Sequence, residues 1–179
     1  MEIGMVGLGR MGGGMARRIL GGSHRVVVFD RDPQSVAGLA GSGAVPAATL
    51  AELTRHLTPP RAVWVMVPAG ETTGQVLDEL SALLSPGDLL VDGGNSDYQD
   101  TLRRAPRLRE KGIGLVDVGT SGGVRGEKEG YCLMIGGELA EVERLSPLFR
   151  TLAPAPDRGW ARVGPAGAGH FVKMVHNGI

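Results

Sequence analysis

Residues 7–12 read Gly7-Leu8-Gly9-Arg10-Met11-Gly12. They lie between a short apolar run, Ile3 to Leu8, which reads as a buried strand, and Met11 to Leu20, which reads as a helix. The spacing is G-x-G-x-x-G at the first strand-to-helix turn of the chain. In that pattern the first glycine permits the tight turn, the second lets a pyrophosphate approach the backbone, and the third lets helix pack on strand. A helix N-terminus there offers free N–H groups and the positive end of its dipole to phosphate oxygens. Gly7, Leu8, Gly9, Arg10, Met11 and Gly12 are therefore candidate dinucleotide contacts.

The next strand, Arg25 to Asp30, carries the β-branched run Val26-Val27-Val28 and ends on an acid. A carboxylate at that point can accept hydrogen bonds from both hydroxyls of an adenine ribose and repels a 2′-phosphate, so Asp30 argues for NAD. Arg31 beside it can bind a 2′-phosphate or stack on adenine, which keeps NADP open. Asp30 also reads simply as the start of a turn before Pro33.

The rest of the chain continues the alternation. Asp32 is a fair N-cap for a helix with Pro33 in its first turn, and Thr49 with Glu52 forms a capping box for a helix from Thr49 to Leu57. Strands are expected at Arg61 to Val67, Asp88 to Asp92, Ile113 to Val118, Tyr131 to Ile135 and, shortest, Trp160 to Val163. Helices are expected over Glu71 to Leu84, Asp97 to Lys111 (kinked or broken at Pro106) and Glu138 to Leu152. This order predicts an α/β fold, a Rossmann-type doubly wound and mostly parallel sheet with right-handed crossovers. Residues 1–163 are assigned to this dinucleotide-binding domain, and 164–179 to the start of a helix leading out of it.

Composition narrows the classes. Lys plus Arg equals Asp plus Glu, 19 of each, which does not suit a nucleic-acid partner. No apolar run is long enough for a membrane span, and no leader precedes the first strand. With one cysteine, Cys132, a disulfide framework is ruled out and a cytoplasmic, reducing setting fits. Apolar neighbours make Cys132 read as a small core residue. His24 and His56 read as surface residues without partner spacing, and no metal site is expected. Glycine, 30 of 179 residues and without repeat, implies many tight turns and close backbone approaches, as strand-to-helix junctions at a nucleotide site require.

Three further segments carry polar groups to strand ends or one helix face. Asp92-Gly93-Gly94-Asn95-Ser96 ends a strand, where ligands of doubly wound sheets lie, placing Asn95 and Ser96 toward one. In Gly119-Thr120-Ser121-Gly122-Gly123-Val124, glycine-flanked N–H groups and a hydroxyl suit a carboxylate or phosphate. The run from Gly167 to Ile179 opens a helix on which Lys173, His176 and Asn177 share a face, with Phe171, Val172 and Val175 on the others.

Together these segments resemble the 6-phosphogluconate dehydrogenase family, from Ile3 to the last residue, and the pattern looks like its shorter, bacterial, NAD-preferring branch. The resemblance implies hydride transfer from C3 of 6-phosphogluconate to NAD, with NADP as the second option, and loss of CO₂ to give ribulose 5-phosphate, a step of the pentose phosphate pathway. It implies Lys173 as the base on the C3 hydroxyl, with Asn177 beside it as a catalytic residue. Asn95, Ser121, Gly122, Gly123, Lys173, His176 and Asn177 would hold substrate. Asn95 with Val67, Pro68 and Ala69 would line the cofactor.

In that family the last helix continues past the position of Ile179 with a Glu acting as general acid, then an all-helical domain with the oligomer interface. The reading expects the chain to stop within that helix, the isolated chain to be inactive, and the full-length enzyme to be a homo-oligomer. Two alternatives stay open: another β-hydroxyacid dehydrogenase, such as the 3-hydroxyisobutyrate type, or an NAD-binding module without catalysis.

Overall fold

The computed structural model describes residues 1–178. Its elements run β1 (Glu2–Val6), α1 (Arg10–Gly21), β2 (Arg25–Phe29), α2 (Pro33–Ala40), β3 (Val45–Pro46), α3 (Leu50–Arg55), β4 (Ala62–Val65) and α4 (Glu71–Leu83). They continue with β5 (Leu89–Asp92), α5 (Tyr98–Glu110), β6 (Gly114–Ser121), a 3-10 turn at Gly123–Arg125, α6 (Gly126–Glu129), β7 (Cys132–Gly136), α7 (Leu139–Leu152), β8 (Trp160–Gly164) and α8 (Ala168–Gly178).

One sheet of eight strands holds them in the order β3-β2-β1-β4-β5-β6-β7-β8. The first six strands are mutually parallel, as the alternation predicts. The pair β6–β7 is antiparallel, and β8 follows β7, so the last two strands run against the rest. The reason is local: four-residue α6 and one 3-10 turn join β6 to β7, which is too little chain for a right-handed crossover.

Strand residues alternate between two apolar layers. Val26, Val28, Trp64, Val91, Val116 and Val118 belong to one cluster, with Ile19 of α1 and Phe149 of α7. Val27, Val63, Val65, Leu90 and Leu115 belong to the other, with Leu53, Leu77 and Leu108 of α3, α4 and α5. A sheet covered on both faces exposes only its strand ends to ligand.

Helix starts follow the sequence signals with one change. Asp32 accepts from the backbone N–H groups of Gln34 and Ser35, and Asp97 from that of Gln99. Thr49 Oγ1 accepts from Glu52 N at 3.0 Å, but the Glu52 carboxylate accepts from Ala48 N at 2.7 Å and not from Thr49. Of the kink or break expected at Pro106, the break does not occur: α5 is continuous through it. The carbonyl that loses its partner belongs to Leu102, which is exposed, so water can serve it.

Other expectations need correction. Cys132, the first residue of β7, is exposed because side chains alternate along an extended chain and its neighbours Tyr131 and Leu133 take the buried side. His24 is half-buried with its Nε2 2.9 Å from Thr151 Oγ1, whereas His56 is exposed beside Glu52. Of the apolar α8 residues expected to stand uncovered, Phe171, Met174 and Val175 are exposed, only Val172 is half-buried, and Phe171 packs edge-on against Tyr98. Ile179 lies outside the described residues. No helix among those described is long and apolar enough to cross a membrane.

Candidate functional site

β1 stops at Val6, and the chain turns at Gly7, whose φ of +89° only glycine adopts without strain. A Cβ on Gly7 would overlap the Met66 carbonyl, and one on Gly12 would overlap the Gly7 carbonyl oxygen. Both close approaches forbid a side chain. Gly9 differs: nothing lies within 4 Å of where its Cβ would be. It N-caps α1 without any side-chain cap, and the first turn of α1 holds no acidic residue. The helices α2, α3 and α5 are capped by the side chains of Asp32, Thr49 and Asp97, whereas α1, like α4 and α7, has no side-chain cap, and at Gly9 its N-terminus meets open space. That cradle fits a pyrophosphate, and Gly9, Arg10, Met11 and Gly12 would hold it through backbone N–H groups.

Two cavities flank this turn. One, of about 610 Å³, brings Gly9–Gly12 together with Asn95, Thr120, Ser121–Gly123, Lys173 and Asn177. The other, of about 370 Å³, is lined by Gly7, Gly9, Asp30 and Arg31, with Val67 and Pro68 common to both cavities. Segments separated by more than 160 residues in sequence thus meet at the ends of β1, β4, β5 and β6.

Not every candidate faces these cavities. Leu8 points into the core, 5% exposed, so only its backbone is near the turn. Ala69 and His176 are exposed and line neither cavity, so of the Lys173, His176 and Asn177 stripe the first and last members converge. Ser96 is buried, and its Oγ has no protein partner. Asp30 is already engaged, Oδ2 with Leu8 N and Oδ1 with Asp32 N.

Several residues hold the site through roles that a reading of motifs does not show. Asp92 Oδ1 accepts from Gly94 N at 3.1 Å and shapes the loop that carries Asn95. Arg104 reaches from α5 to that carboxylate at 3.9 Å and to the Gly70 carbonyl at 3.4 Å, bridging the loops after β4 and β5. Arg17 of α1 makes a two-pronged contact with Glu127 of α6, at 2.8 and 2.9 Å. The Arg17 hydrogen bond holds the Glu127 carboxyl below its usual range, and burial pushes the neighbouring Tyr131 hydroxyl up. The helix of the glycine turn is thereby tied to the segment after Ser121–Gly123. Asp117, in the middle of β6, is fully buried and receives two N–H groups from the start of α8. Its sequence signal was a charge inside Leu115-Val116-Asp117-Val118, since a charge in a strand buried on both faces needs partners. Among the described residues no group of three or more His, Cys, Asp or Glu side chains gathers to hold a metal.

Residues 2–163 match the family model of the NAD binding domain of 6-phosphogluconate dehydrogenase. The chain belongs to that family. The NAD(+)-dependent, decarboxylating 6-phosphogluconate dehydrogenase of Haloferax volcanii is 42% identical over 179 residues, covering 100% of this chain and 58% of that protein. A decarboxylating 6-phosphogluconate dehydrogenase of Escherichia coli is 37% identical, covering 99% of this chain and 40% of that protein. Among solved structures, the Plasmodium falciparum 6-phosphogluconate dehydrogenase superposes with a TM-score of 0.90 at 26% identity, over 99% of this chain and 40% of that one. A Mycobacterium tuberculosis 3-hydroxyisobutyrate dehydrogenase gives 0.89, also at 26% identity, over 98% of this chain and 58% of that one. The fold is therefore shared by both enzyme types, and this chain spans only part of the length of each relative.

Proposed function

We propose that this chain is the dinucleotide-binding part of an NAD-dependent, decarboxylating 6-phosphogluconate dehydrogenase, with residues 1–163 as the nucleotide domain and 164–179 leading onward. A cytoplasmic setting, a homo-oligomeric full-length enzyme and NADP as the weaker cofactor belong to the same reading. The observation that carries it is convergence: Lys173, Asn177, Asn95 and Ser121–Gly123 line the same cleft as the glycine turn.

In this reading the dinucleotide, when bound, supplies the hydride acceptor. Gly9 to Gly12 hold its pyrophosphate by backbone N–H groups, Asp30 faces the adenine ribose, and Val67 and Pro68 wall its path. Lys173 Nζ takes the proton of the substrate's C3 hydroxyl as C3 gives up its hydride. The same Nζ, now protonated, donates to the new ketone oxygen while the C1 carboxylate leaves as CO₂ and its bonding pair passes into an enediol. Protonation at the carbon that lost CO₂, by the general acid that the family resemblance places beyond Ile179, with the C3 oxygen's proton returned to Lys173, gives ribulose 5-phosphate. Asn95, Ser121 and Asn177 donate to the substrate's carboxylate and exchange hydrogen bonds with its hydroxyls, and the N–H groups of Gly122 and Gly123 suit an anionic end.

The test has two arms. Calorimetry on the 179-residue chain should show NAD binding, tighter than NADP. Turnover should be absent from this chain alone and present in a longer natural form, with NADH and CO₂ formed from 6-phosphogluconate and lost in Lys173→Ala. Activity on 3-hydroxyisobutyrate instead would transfer the assignment to that enzyme type, and NAD binding with no turnover in any natural form would leave a binding module.

A further inference from the structure

We propose that Asp117 is a positioning residue for Lys173: its buried carboxylate seats the first turn of α8 on β6 so that Lys173 stands in the cleft. This rests on the reading of Lys173 as the base.

Asp117 is 0% exposed and lies within a sheet covered on both faces. Its Oδ1 accepts from Gly167 N at 2.6 Å and its Oδ2 from His170 N at 2.8 Å. Donors of a helix's first turn have no partner within the helix, so a carboxylate there satisfies them and meets the positive end of the dipole. A buried carboxylate otherwise unpaired would be strongly unfavourable, so charge and helix start need each other. The same turn is held from the other side by Thr101 of α5, whose Oγ1 is 2.8 Å from His170 Nδ1.

One turn on, Lys173 crosses Gly119, where a Cβ would lie 2.5 Å from Lys173 Cβ and 2.8 Å from the Gly169 carbonyl oxygen. A Cβ on Gly169 would in turn lie 2.5 Å from the Met134 carbonyl oxygen and 2.6 Å from that of Asp117. Backbone lies on backbone, so α8 comes this close to β6 only where these glycines stand. Asp117, Gly119 and Ser121 alternate along β6 and share one face. The first anchors the helix, the second admits Lys173, and the third reaches the cleft. A shift of α8 along β6 would carry Lys173 away from Ser121 and Asn95.

The experiment combines amide exchange on the chain with kinetics of the longer natural form. In the unsubstituted chain, the Gly167 and His170 amides should exchange as slowly as those of β6, because both donate to the Asp117 carboxylate in a buried setting. Exchange as fast as in the exposed second half of α8 would overturn the proposal, whether or not any variant folds. In Asp117→Asn, both amides should exchange faster. Lys173 should also acylate faster relative to Lys111 and Lys128, the other two lysines of the chain. For turnover, kcat should fall on the order of ten- to a hundred-fold with the KM for NAD unchanged, as expected for a misplaced reacting group. A fall in NAD affinity matching the fall in kcat would indicate a general structural role and sink the idea, as would wild-type kcat. Full turnover by Lys173→Ala would refute the base itself, an outcome read independently of the exchange data.

Discussion

Asp30 Oδ2 lies 2.5 Å from the backbone nitrogen of Leu8, and Oδ1 lies 2.8 Å from that of Asp32. The acid at the end of β2 is thus a clasp on the glycine turn as well as a candidate for the ribose hydroxyls. Like-charge repulsion alone would predict that Asp30→Asn narrows the gap between NAD and NADP. The clasp predicts otherwise: an Asn retains one acceptor and sets an NH₂ against an N–H, and a part-buried donor left unpaired costs about 1–3 kcal/mol. We expect NAD affinity to fall roughly tenfold or more, at about 1.4 kcal/mol per tenfold, with a lower Tm and no gain in NADP affinity. An unchanged Tm with tighter NADP binding would show that the carboxylate serves the ribose alone.

The glycines of the turn separate folding from binding. Gly9→Ala adds a methyl to open space at φ −58°, so stability should change by less than about 0.5 kcal/mol. The methyl stands before the bare N-terminus of α1, so NAD affinity should drop. In Gly12→Ala the new Cβ meets the Gly7 carbonyl, and both Tm and affinity should fall. Thermal melts and calorimetry on the two variants, side by side, decide the matter. A Gly9→Ala chain that binds NAD at full strength would place the pyrophosphate elsewhere.

Glu127 gives a pH dependence. Its carboxyl, hydrogen-bonded to Arg17, sits below the ordinary value of 4.5 in the folded chain. The folded state binds this proton less readily than the unfolded state, so the contribution is full above pH 4.5 and is lost as pH falls through the folded value. Both side chains are about two-fifths exposed, 44% and 39%, and solvent screening limits the effect to below about 1 kcal/mol. Glu127→Gln should therefore be slightly less stable near neutrality and converge with the unsubstituted chain in acid. Denaturant midpoints between pH 3 and pH 7 measure this, and a constant difference across that range would contradict it.

What was legible in the sequence was local. The strand–helix alternation, the glycine spacing, the Asp32 and Thr49 caps and the polar residues after β5 and β6 all depend on neighbours within a few positions. Val45–Pro46 was missed because two residues show no periodicity and an edge position tolerates proline. The direction of β7 depends on which strand it pairs with, and the apolar run around Cys132 is silent on that. Asp117 read as one more strand residue, since its partners Gly167 and His170 are 50 and 53 positions away. His176 and Asn177 look equivalent on a helical wheel, yet the seating of α8 on Gly119 turns Asn177 to the cleft and leaves His176 outside its lining.

The reversal of β7 has a practical use. Because it runs against β6, its first residue meets the ligand-side end of the sheet, and Cys132 pairs in register with Ser121, the last residue of β6. That thiol is exposed, and the chain has no other. An environment-sensitive fluorophore coupled through maleimide would therefore attach at a single place, on the rim beside the anion-suited turn. Filling and emptying of the cleft could then be followed in real time by emission, with no engineered cysteine and no coupled assay.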